Sequence, residues 1–216
     1  MKIYGVSASP FVRKVIVACE VKSLNYSNVP VPPFGEQPKA FKKISPLKKI
    51  PVLKDGDTII PDSSVICAYL EEKYPEKSIL PLSIEERARA RWLEEYSDSK
   101  LMEVIGVKLF FERFAKPKLL GLPTDEKVVE DNLKNTLPPV LDYLNEQVPE
   151  SGFLFSKENL TIPDIAIGSN MLNAKYAEYT VDAKKWPNLA AYVERVHSTS
   201  AFQKAMTLDK KLLGKN

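Results

Sequence analysis

The sequence predicts an α/β domain over residues 1–80 followed by an all-α domain over residues 85–216. Short β-prone runs alternate with helical patterns in the first part, whereas from about residue 85 long helical patterns replace them. Between the two parts, the segment Tyr74–Ser83 contains Pro75 and Pro81 and is typical of a linker. A length of 216 residues is sufficient for two small domains that each bury a core.

The first domain is predicted to contain four strands and three helices. In chain order, apolar periodicity and turn signals place them at Lys2–Val6, Phe11–Lys22, Asn25–Val31, Lys39–Ile44, Pro51–Lys54, Thr58–Ile60 and Ser64–Lys73. The dipeptide Asp55-Gly56 between the last two β-prone runs predicts a hairpin turn. The order strand, helix, strand, helix, strand, strand, helix is that of a thioredoxin-like domain.

The second domain is predicted to consist of helices alone. The helical patterns cover Glu85–Ala115, Asp125–Gln147, Pro163–Tyr179 and Asn188–His197. Pro117 is expected to end the first of them, and Pro138-Pro139 are expected to kink or reset the second. The lysine-rich residues 209–216 are expected to fray.

Composition excludes several classes of protein. A net charge of +3, with lysines and arginines dispersed among acids, argues against nucleic-acid binding. Cys19 and Cys67 lie far apart in sequence, which argues against a disulfide framework or a zinc site and fits a reducing cytosol. His197, the single histidine, lies in a helical pattern, so we expect a structural or solvated role rather than a metal site or a Ser-His-Asp triad.

Nothing in the sequence predicts a membrane protein. The first ten residues lack the apolar core of a signal peptide, and no apolar run approaches the ~20 residues of a membrane helix. We therefore expect a cytoplasmic protein.

The first candidate functional segment is residues 7–13 (SASPFVR), where a strand gives way to a helix. Ser9 can act simply as the N-cap, with Pro10 at the first helical position. The free N–H groups and partial positive charge of the same helix end would also stabilise a thiolate, to which a serine hydroxyl could donate. The residues alone leave both interpretations open.

Two further segments carry the same ambiguity. The Ile50-Pro51 bond is either an ordinary strand start or a cis bond that turns the Ile50 backbone outward, towards an extended peptide. Asp62 and Ser63 precede a helix and can cap it, but a helix N-terminus also binds carboxylates. Asp62 could accept from an ammonium group, so the pair could hold the head group of an α-amino acid.

The three segments, in this order and at this spacing, resemble the cytosolic glutathione transferase family. Residues 9–13 (SPFVR) resemble the start of its tau class and, with serine in place of cysteine, of its omega class. Residues 46–53 are similar to the family's cis-proline loop, and Asp62-Ser63 to its Glu-Ser motif.

The resemblance continues through the second half of the chain. Thr161 and Asp164 resemble the family's N-capping box, with Leu160 and Ile165 as its hydrophobic staple. The segments 186–189 (WPNL) and 201–202 (AF) are similar to the family's closing helix. The resemblance therefore spans nearly the whole chain.

The family resemblance implies a role for each residue of the site. Ser9 would be catalytic and would donate a hydrogen bond to the glutathione sulfur, which it holds as thiolate. Ile50, next to a cis Pro51, would pair its backbone with the cysteinyl part of glutathione. Asp62 and Ser63 would bind the γ-glutamyl ammonium and carboxylate groups.

Several further residues would lie at or near the glutathione site. Phe11 would lie beside the site, as would Arg13, which receives no defined role. Gln37 stands where omega-like members carry a lysine, and Lys39 is a possible substitute for its contact with the glycyl carboxylate. Ser7 is an alternative to Ser9 as the catalytic hydroxyl.

The resemblance also implies a fold, an activity and an assembly. It implies a thioredoxin-like α/β N-terminal domain that binds glutathione and an all-α C-terminal domain that forms the electrophile site. Glutathione would be the cosubstrate of an enzyme that attacks small apolar electrophiles in detoxification, without a metal, as a cytoplasmic homodimer. Aspartate replaces the usual glutamate at Asp62 and is one methylene shorter, which would loosen the head-group contact.

Alternatives remain at this point. The electrophile pocket would include Tyr96, Lys100, Leu101 and Val104, although the same spacing also fits a core and a solvated face. The same fold could serve a non-enzymatic carrier or interaction protein, or a glutathione-dependent isomerase or dehalogenase. A disulfide-exchange enzyme is disfavoured because position 9 lacks a cysteine.

Overall fold

The computed structural model describes residues 1–212, which divide into two compact units. The first unit combines Met1–Leu80 with the C-terminal segment from Thr199, and the second is Pro81–Ser198. The strands are β1 (Lys2–Tyr4), β2 (Ser27–Val29), β3 (Val52–Asp55) and β4 (Thr58–Ile60). The α-helices are α1 (Pro10–Val21), α2 (Lys39–Ile44), α3 (Ser63–Lys73), α4 (Ile84–Tyr96), α5 (Glu126–Asp131), α6 (Leu137–Gln147), α7 (Ile162–Tyr176), α8 (Pro187–Ser198) and α9 (Ser200–Leu212).

The first unit is built on a four-stranded mixed sheet with the order β2-β1-β3-β4. β1 runs parallel to β2 and antiparallel to β3, with Ile3 opposite both Asn28 and Leu53. β4 returns antiparallel to β3, so the hairpin predicted at Asp55-Gly56 is present. The element order, the strand directions and the helices confirm the predicted thioredoxin-like class for this unit.

The helix α1 is buried along most of its length. The side chains from Val12 to Cys19 are all buried, because α3 and α9 pack against the helix and β1 contacts it as well. Burial on so many sides explains the continuous apolar run in the sequence, interrupted only by Arg13 and Lys14.

The helix α9 belongs to the first unit, although its residues fall within the predicted helical domain 85–216. Ala201, Phe202, Ala205 and Asp209 recur at helical spacing and are all buried. The expectation that residues 209–216 fray is therefore wrong for Asp209, which lies in the helix. Residues 213–216 lie outside the described residues.

In the second unit, the described secondary structure is helical, as predicted, apart from an isolated bridge between Phe153 and Ser156, and α7 lies at its centre. Every residue of α7 from Ile162 to Ala174 is buried, and the helix packs against α4, α8 and a π-helical segment, Ser97–Leu120, that continues α4. No helix in the described part of the chain is long and apolar enough to cross a membrane.

Pro117 does not end the long helix, contrary to the prediction. The π-helical segment continues to Leu120 and ends at Gly121, whose left-handed φ of 66° suits glycine. Proline has no N–H, so the carbonyl five residues earlier in a π-helix, that of Glu112, loses its helical donor. The Thr124 hydroxyl donates to this carbonyl at 3.0 Å, which compensates for the loss.

The reset predicted at Pro138-Pro139 is confirmed. A π-helical turn, Asn132–Thr136, separates α5 from α6, and the two prolines fall at the second and third positions of α6. Proline is tolerated in the first turn of a helix, which fits these positions.

Asp164 connects three elements of the second unit. Its carboxylate accepts hydrogen bonds from the N–H of Thr161 at 2.6 Å, the N–H of Leu154 at 2.8 Å and the hydroxyl of Tyr192 at 2.6 Å. The capping box predicted from Thr161 and Asp164 is therefore present at the start of α7. Burial raises the pKa of Asp164 to about 6, although these hydrogen bonds favour the charged form.

The substitution Asp164→Asn should lower the free energy of unfolding at pH 7 by about 1–3 kcal/mol, because an amide cannot accept from donors on both sides. Since the pKa of the carboxyl is raised to about 6 from about 3.9 in the unfolded chain, wild type loses stability as pH rises between those values. The variant lacks this loss, so the difference in free energy of unfolding between wild type and Asp164→Asn should shrink from pH 4 to pH 7. Urea unfolding of both proteins at several pH values measures this difference.

The matched control is Asp125→Asn, because asparagine can retain the bond by which Asp125 caps α5. This control should change the free energy of unfolding little. A difference between wild type and Asp164→Asn that stays constant across the pH range would contradict the prediction.

Candidate functional site

Ser9 occupies the N-cap of α1, where β1 has ended and the chain turns into the helix. Its backbone is extended (φ −70°, ψ 129°), its N–H donates to the Val6 carbonyl at 3.1 Å, and its carbonyl accepts from the Arg13 N–H at 2.9 Å. The side chain is half-buried and makes no capping hydrogen bond. The hydroxyl therefore lies at the positive end of α1 without being engaged in capping.

Ser7, the alternative to Ser9, is only 3% exposed. It lies two residues before the N-cap, along a cleft that is also lined by Glu20, Tyr26 and Lys204. Ser9 is thus the serine that combines exposure with a place at the helix terminus.

The bond between Ile50 and Pro51 is cis, as the family resemblance implied. Pro51 is buried and leads into β3, where Val52 pairs with Tyr4 of β1. Ile50 remains partly exposed at the edge of this turn.

Gly5 allows α1 and the Ile50 turn to approach each other. A Cβ atom at this position would lie 2.6 Å from Cγ2 of Val12 and 3.0 Å from Cβ of Ile50, and the φ angle of 139° is itself unfavourable for other residues. The glycine therefore brings the first two predicted segments together, and it also explains why β1 ends before Val6.

Asp62 caps α3, in agreement with the capping interpretation. Its Oδ1 atom accepts from the N–H groups of Ser64 and Val65 at 2.9 and 3.0 Å. Asp62 is exposed, whereas Ser63 is 6% exposed. Nζ of Lys14, a fully buried side chain of α1, donates to Oγ of Ser64 at 2.9 Å, which ties this terminus to α1.

Gln37 is a structural residue in the loop before α2. Its Nε2 atom donates to the carbonyls of Pro32 and Lys48, each at 3.0 Å, and the side chain is buried. Lys39 is exposed at the first position of α2, and Phe11 is half-buried at the second position of α1.

Arg13 does not face the surface beside the site. It is fully buried and pairs with Asp209 of α9, with an Nη2 to Oδ2 distance of 2.7 Å. Sequence reasoning missed Asp209; the signal available was the helical spacing of Ala201, Phe202 and Ala205 with Asp209.

The residues considered for the electrophile pocket mostly have packing roles. Leu101 and Val104 are fully buried, and Lys100 is exposed and pairs with Glu103 at 2.8 Å. Tyr96 is half-buried and packs against Tyr143 with tilted rings, whose centroids lie 4.7 Å apart.

The two cysteines and the single histidine all lie in the interior of the fold. Both cysteines are buried, and burial raises the pKa of Cys19 to about 12, so this thiol is protonated at neutral pH. His197 is buried in α8, and its Nε2 atom donates to the carbonyl of Gly168 at 2.9 Å. Among residues 1–212, no cluster of three or more side chains suited to metal binding occurs.

The sequence pattern of the family "Glutathione S-transferase, N-terminal domain" matches residues 3–78, and that of the "Glutathione S-transferase, C-terminal domain" matches residues 117–204. The chain belongs to the glutathione S-transferase family. The matched regions include Ser9, the Ile50-Pro51 bond and Asp62-Ser63 in the first domain, and the capping box in the second.

Individual members of the family are similar to this chain over nearly its whole length or over part of it. A glutathione S-transferase of Hyoscyamus muticus is 28% identical over 213 residues, which is 95% of this chain and 97% of that protein. A zeta-class glutathione S-transferase of Euphorbia esula is 43% identical over 90 residues, which is 41% of this chain and 40% of that protein.

A solved structure of a glutathione S-transferase is also similar to this chain. The crystal structure of a glutathione S-transferase from Rhodospirillum rubrum F11 superposes with a TM-score of 0.84 at 28% identity, covering 95% of this chain and 91% of that one. This likeness agrees with the family's two-domain architecture. The likeness of residues 9–13 to the tau and omega classes stays a prediction.

Proposed function

We propose that this member of the glutathione S-transferase family uses Ser9 to hold the sulfur of bound glutathione as a thiolate. Family membership supports transferase activity and an enzyme role, with glutathione as a substrate. The observation that carries the role of Ser9 is the place of this half-buried residue at the N-terminus of α1, where its hydroxyl makes no capping bond.

Catalysis would consist of stabilising and presenting a nucleophile. The thiol of glutathione releases its proton to solvent, and the helix terminus and the Ser9 hydroxyl stabilise the resulting anion. The thiolate then attacks an electrophilic carbon, forming a carbon–sulfur bond while the leaving group departs with its electron pair. Serine acts here as a hydrogen-bond donor and not as a base, so preorganisation and proximity supply the rate enhancement.

The other predicted residues would bind the remainder of glutathione. The backbone of Ile50, beside the cis Pro51, would pair with the cysteinyl part. Asp62 would accept from the γ-glutamyl ammonium, while Ser63 and the N-terminus of α3 would bind the carboxylate. Phe11 and Lys39 would border the site, with Lys39 near the glycyl carboxylate.

The substrate class of this proposal is small apolar electrophiles, consistent with a detoxifying role in the cytoplasm. The relatives reported above are named glutathione S-transferases, which favours transfer over the isomerase or dehalogenase alternative. No observation among the described residues favours a non-enzymatic carrier.

The substitution Ser9→Ala should reduce kcat/KM for conjugation of glutathione to a chlorodinitrobenzene by at least about tenfold, or about 1.4 kcal/mol of transition-state stabilisation. The physical reason is the loss of a donor to the thiolate. The assay is steady-state kinetics at fixed pH, with Ser7→Ala as the matched control.

Ser7→Ala should retain nearly wild-type kinetics. The opposite pattern, with Ser7→Ala impaired and Ser9→Ala active, would transfer the role to Ser7. Failure of the wild-type protein to bind glutathione would instead support the carrier alternative.

Asp62 can be tested separately as a cap and as an ammonium ligand. Asp62→Asn should raise KM for glutathione about tenfold, because it removes a charge worth roughly 1.5–3 kcal/mol in a hydrogen bond, while preserving the cap. Asp62→Ala should raise KM equally and also lower the free energy of unfolding by about 1 kcal/mol. Equal KM values for wild type and Asp62→Asn would show that Asp62 is only a cap.

We propose further that the protein is a homodimer, as the resemblance implies. Exposed apolar side chains on the first unit, among them Leu47, Ile59 and Val65, offer surface that a partner subunit could bury. Sedimentation at micromolar concentration should give twice the chain mass of 24.3 kDa, whereas a monomer under these conditions would refute the proposal.

A further inference from the structure

A buried ion pair joins α9 to the first turn of α1. The Nε and Nη2 atoms of Arg13 both donate to Oδ2 of Asp209, at 3.0 and 2.7 Å. Both side chains have no solvent exposure. A charge buried to this degree depends on its partners, because removing one member of the pair takes away a compensating charge.

The same guanidinium reaches the residue that precedes Ser9. Nη2 of Arg13 donates to the carbonyl of Ala8 at 3.2 Å. On the opposite side of the same peptide group, the N–H of Ser9 donates to the carbonyl of Val6 at 3.1 Å. Because a peptide group is planar, these two bonds fix the orientation of the plane between Ala8 and Ser9.

The direction of the Ser9 hydroxyl depends on this plane. The side chain makes no capping bond to α1 that would hold it independently of the backbone. Its Oγ is therefore placed by the backbone angles of Ser9 together with its χ1 rotamer. Catalytic geometry is sensitive to such placement, since a displacement of about 1 Å can cost about 100-fold in rate.

We propose that Asp209 is a positioning residue for the glutathione reaction, which acts through Arg13 and the Ala8–Ser9 peptide to aim the Ser9 hydroxyl at the sulfur. The inference rests on the proposed function of Ser9 and extends the functional machinery to the C-terminal helix. Asp209 lies 196 positions from Arg13 in sequence, so the contact exists only in the folded chain.

Two effects of removing the Asp209 charge have opposite signs. On charge alone, removing the negative charge of Asp209 would stabilise a nearby thiolate and lower the pKa of the glutathione thiol. Loss of the aligned Ser9 hydroxyl would remove a hydrogen bond to the thiolate and raise the pKa of the thiol. The direction of the change therefore separates positioning from simple electrostatics.

The experiment compares wild type with Asp209→Asn, which has nearly the same shape. The pKa of bound glutathione is measured from the ultraviolet absorbance of the thiolate in the binary complex, and kcat and KM are measured with chlorodinitrobenzene. In the variant, kcat should fall about tenfold or more and the pKa of the bound thiol should rise. KM for glutathione should change less than about threefold, because the head-group contacts are separate. Asp209→Glu should recover part of kcat.

The matched control is Lys204→Gln. Nζ of Lys204 pairs with Oε2 of Glu20 at 2.8 Å, which is another contact between α9 and α1, and the lysine side chain is 67% exposed. This pair contains neither Arg13 nor Asp209. The control should therefore leave kcat and the pKa of the bound thiol unchanged.

A double-mutant cycle adds a second criterion. If Asp209 acts through Ser9, then adding Asp209→Asn to Ser9→Ala should cause no further loss of kcat. Additive losses would overturn the proposal, as would an unchanged or lowered pKa of the bound thiol in Asp209→Asn.

A second variant covers the case in which Asp209→Asn does not fold. Arg13→Lys keeps a cation opposite Asp209 but lacks the forked donors that reach both Asp209 and Ala8, so it should show the same loss of kcat and rise in thiol pKa. Wild-type kinetics in a folded Arg13→Lys protein would contradict the proposal. If wild type does not bind glutathione, the proposed function is overturned together with this inference. If wild type binds glutathione but the variants do not show the predicted changes in kcat and thiol pKa, only this inference is overturned.

Discussion

The burial of α1 is the constraint on which the rest of the first unit depends. Its side chains from Val12 to Cys19 are enclosed by other elements, so the helix cannot shift without opening the core. Fixing the helix also fixes its N-terminus, where Ser9 lies. Gly5 then permits the Ile50 turn to come close, and the bond from Lys14 to Ser64 holds the start of α3 nearby. A packing requirement thus assembles the three segments of the candidate site.

The N-termini of α3 and α1 differ in whether the side chain at the N-cap makes a capping hydrogen bond. Asp62 satisfies two N–H groups of α3, and this alone would explain an acidic residue at that position. Ser9 stands at the equivalent position of α1 but makes no such bond, while Pro10 removes one of the N–H groups that would need a partner. Capping therefore does not explain the serine at this position, whereas the proposed hydrogen bond to a thiolate at this helix end does.

In the second unit, polar groups compensate for backbone irregularities and join separate elements. The hydroxyl of Thr124 takes the place of the N–H that Pro117 lacks, which lets the long helical segment continue to Gly121. Asp164 accepts from two loop N–H groups and from Tyr192 of α8, so one buried carboxyl links the start of α7 to its surroundings. These contacts help hold a helix that is buried on almost every side.

The sequence by itself determined most of the elements and their order, because apolar periodicity, Asp55-Gly56 and Pro138-Pro139 act over a few residues. It also indicated the capping box at Asp164, whose bond to the Thr161 N–H spans three positions. Only the tertiary structure decided that Arg13 pairs with Asp209 and that α9 belongs to the first unit, because these depend on contacts between distant parts of the chain. In a helical sequence pattern, charged residues such as Arg13 and Lys14 indicate a face that is exposed to solvent. In the folded chain both are buried, because Asp209 and Ser64 provide polar partners for them.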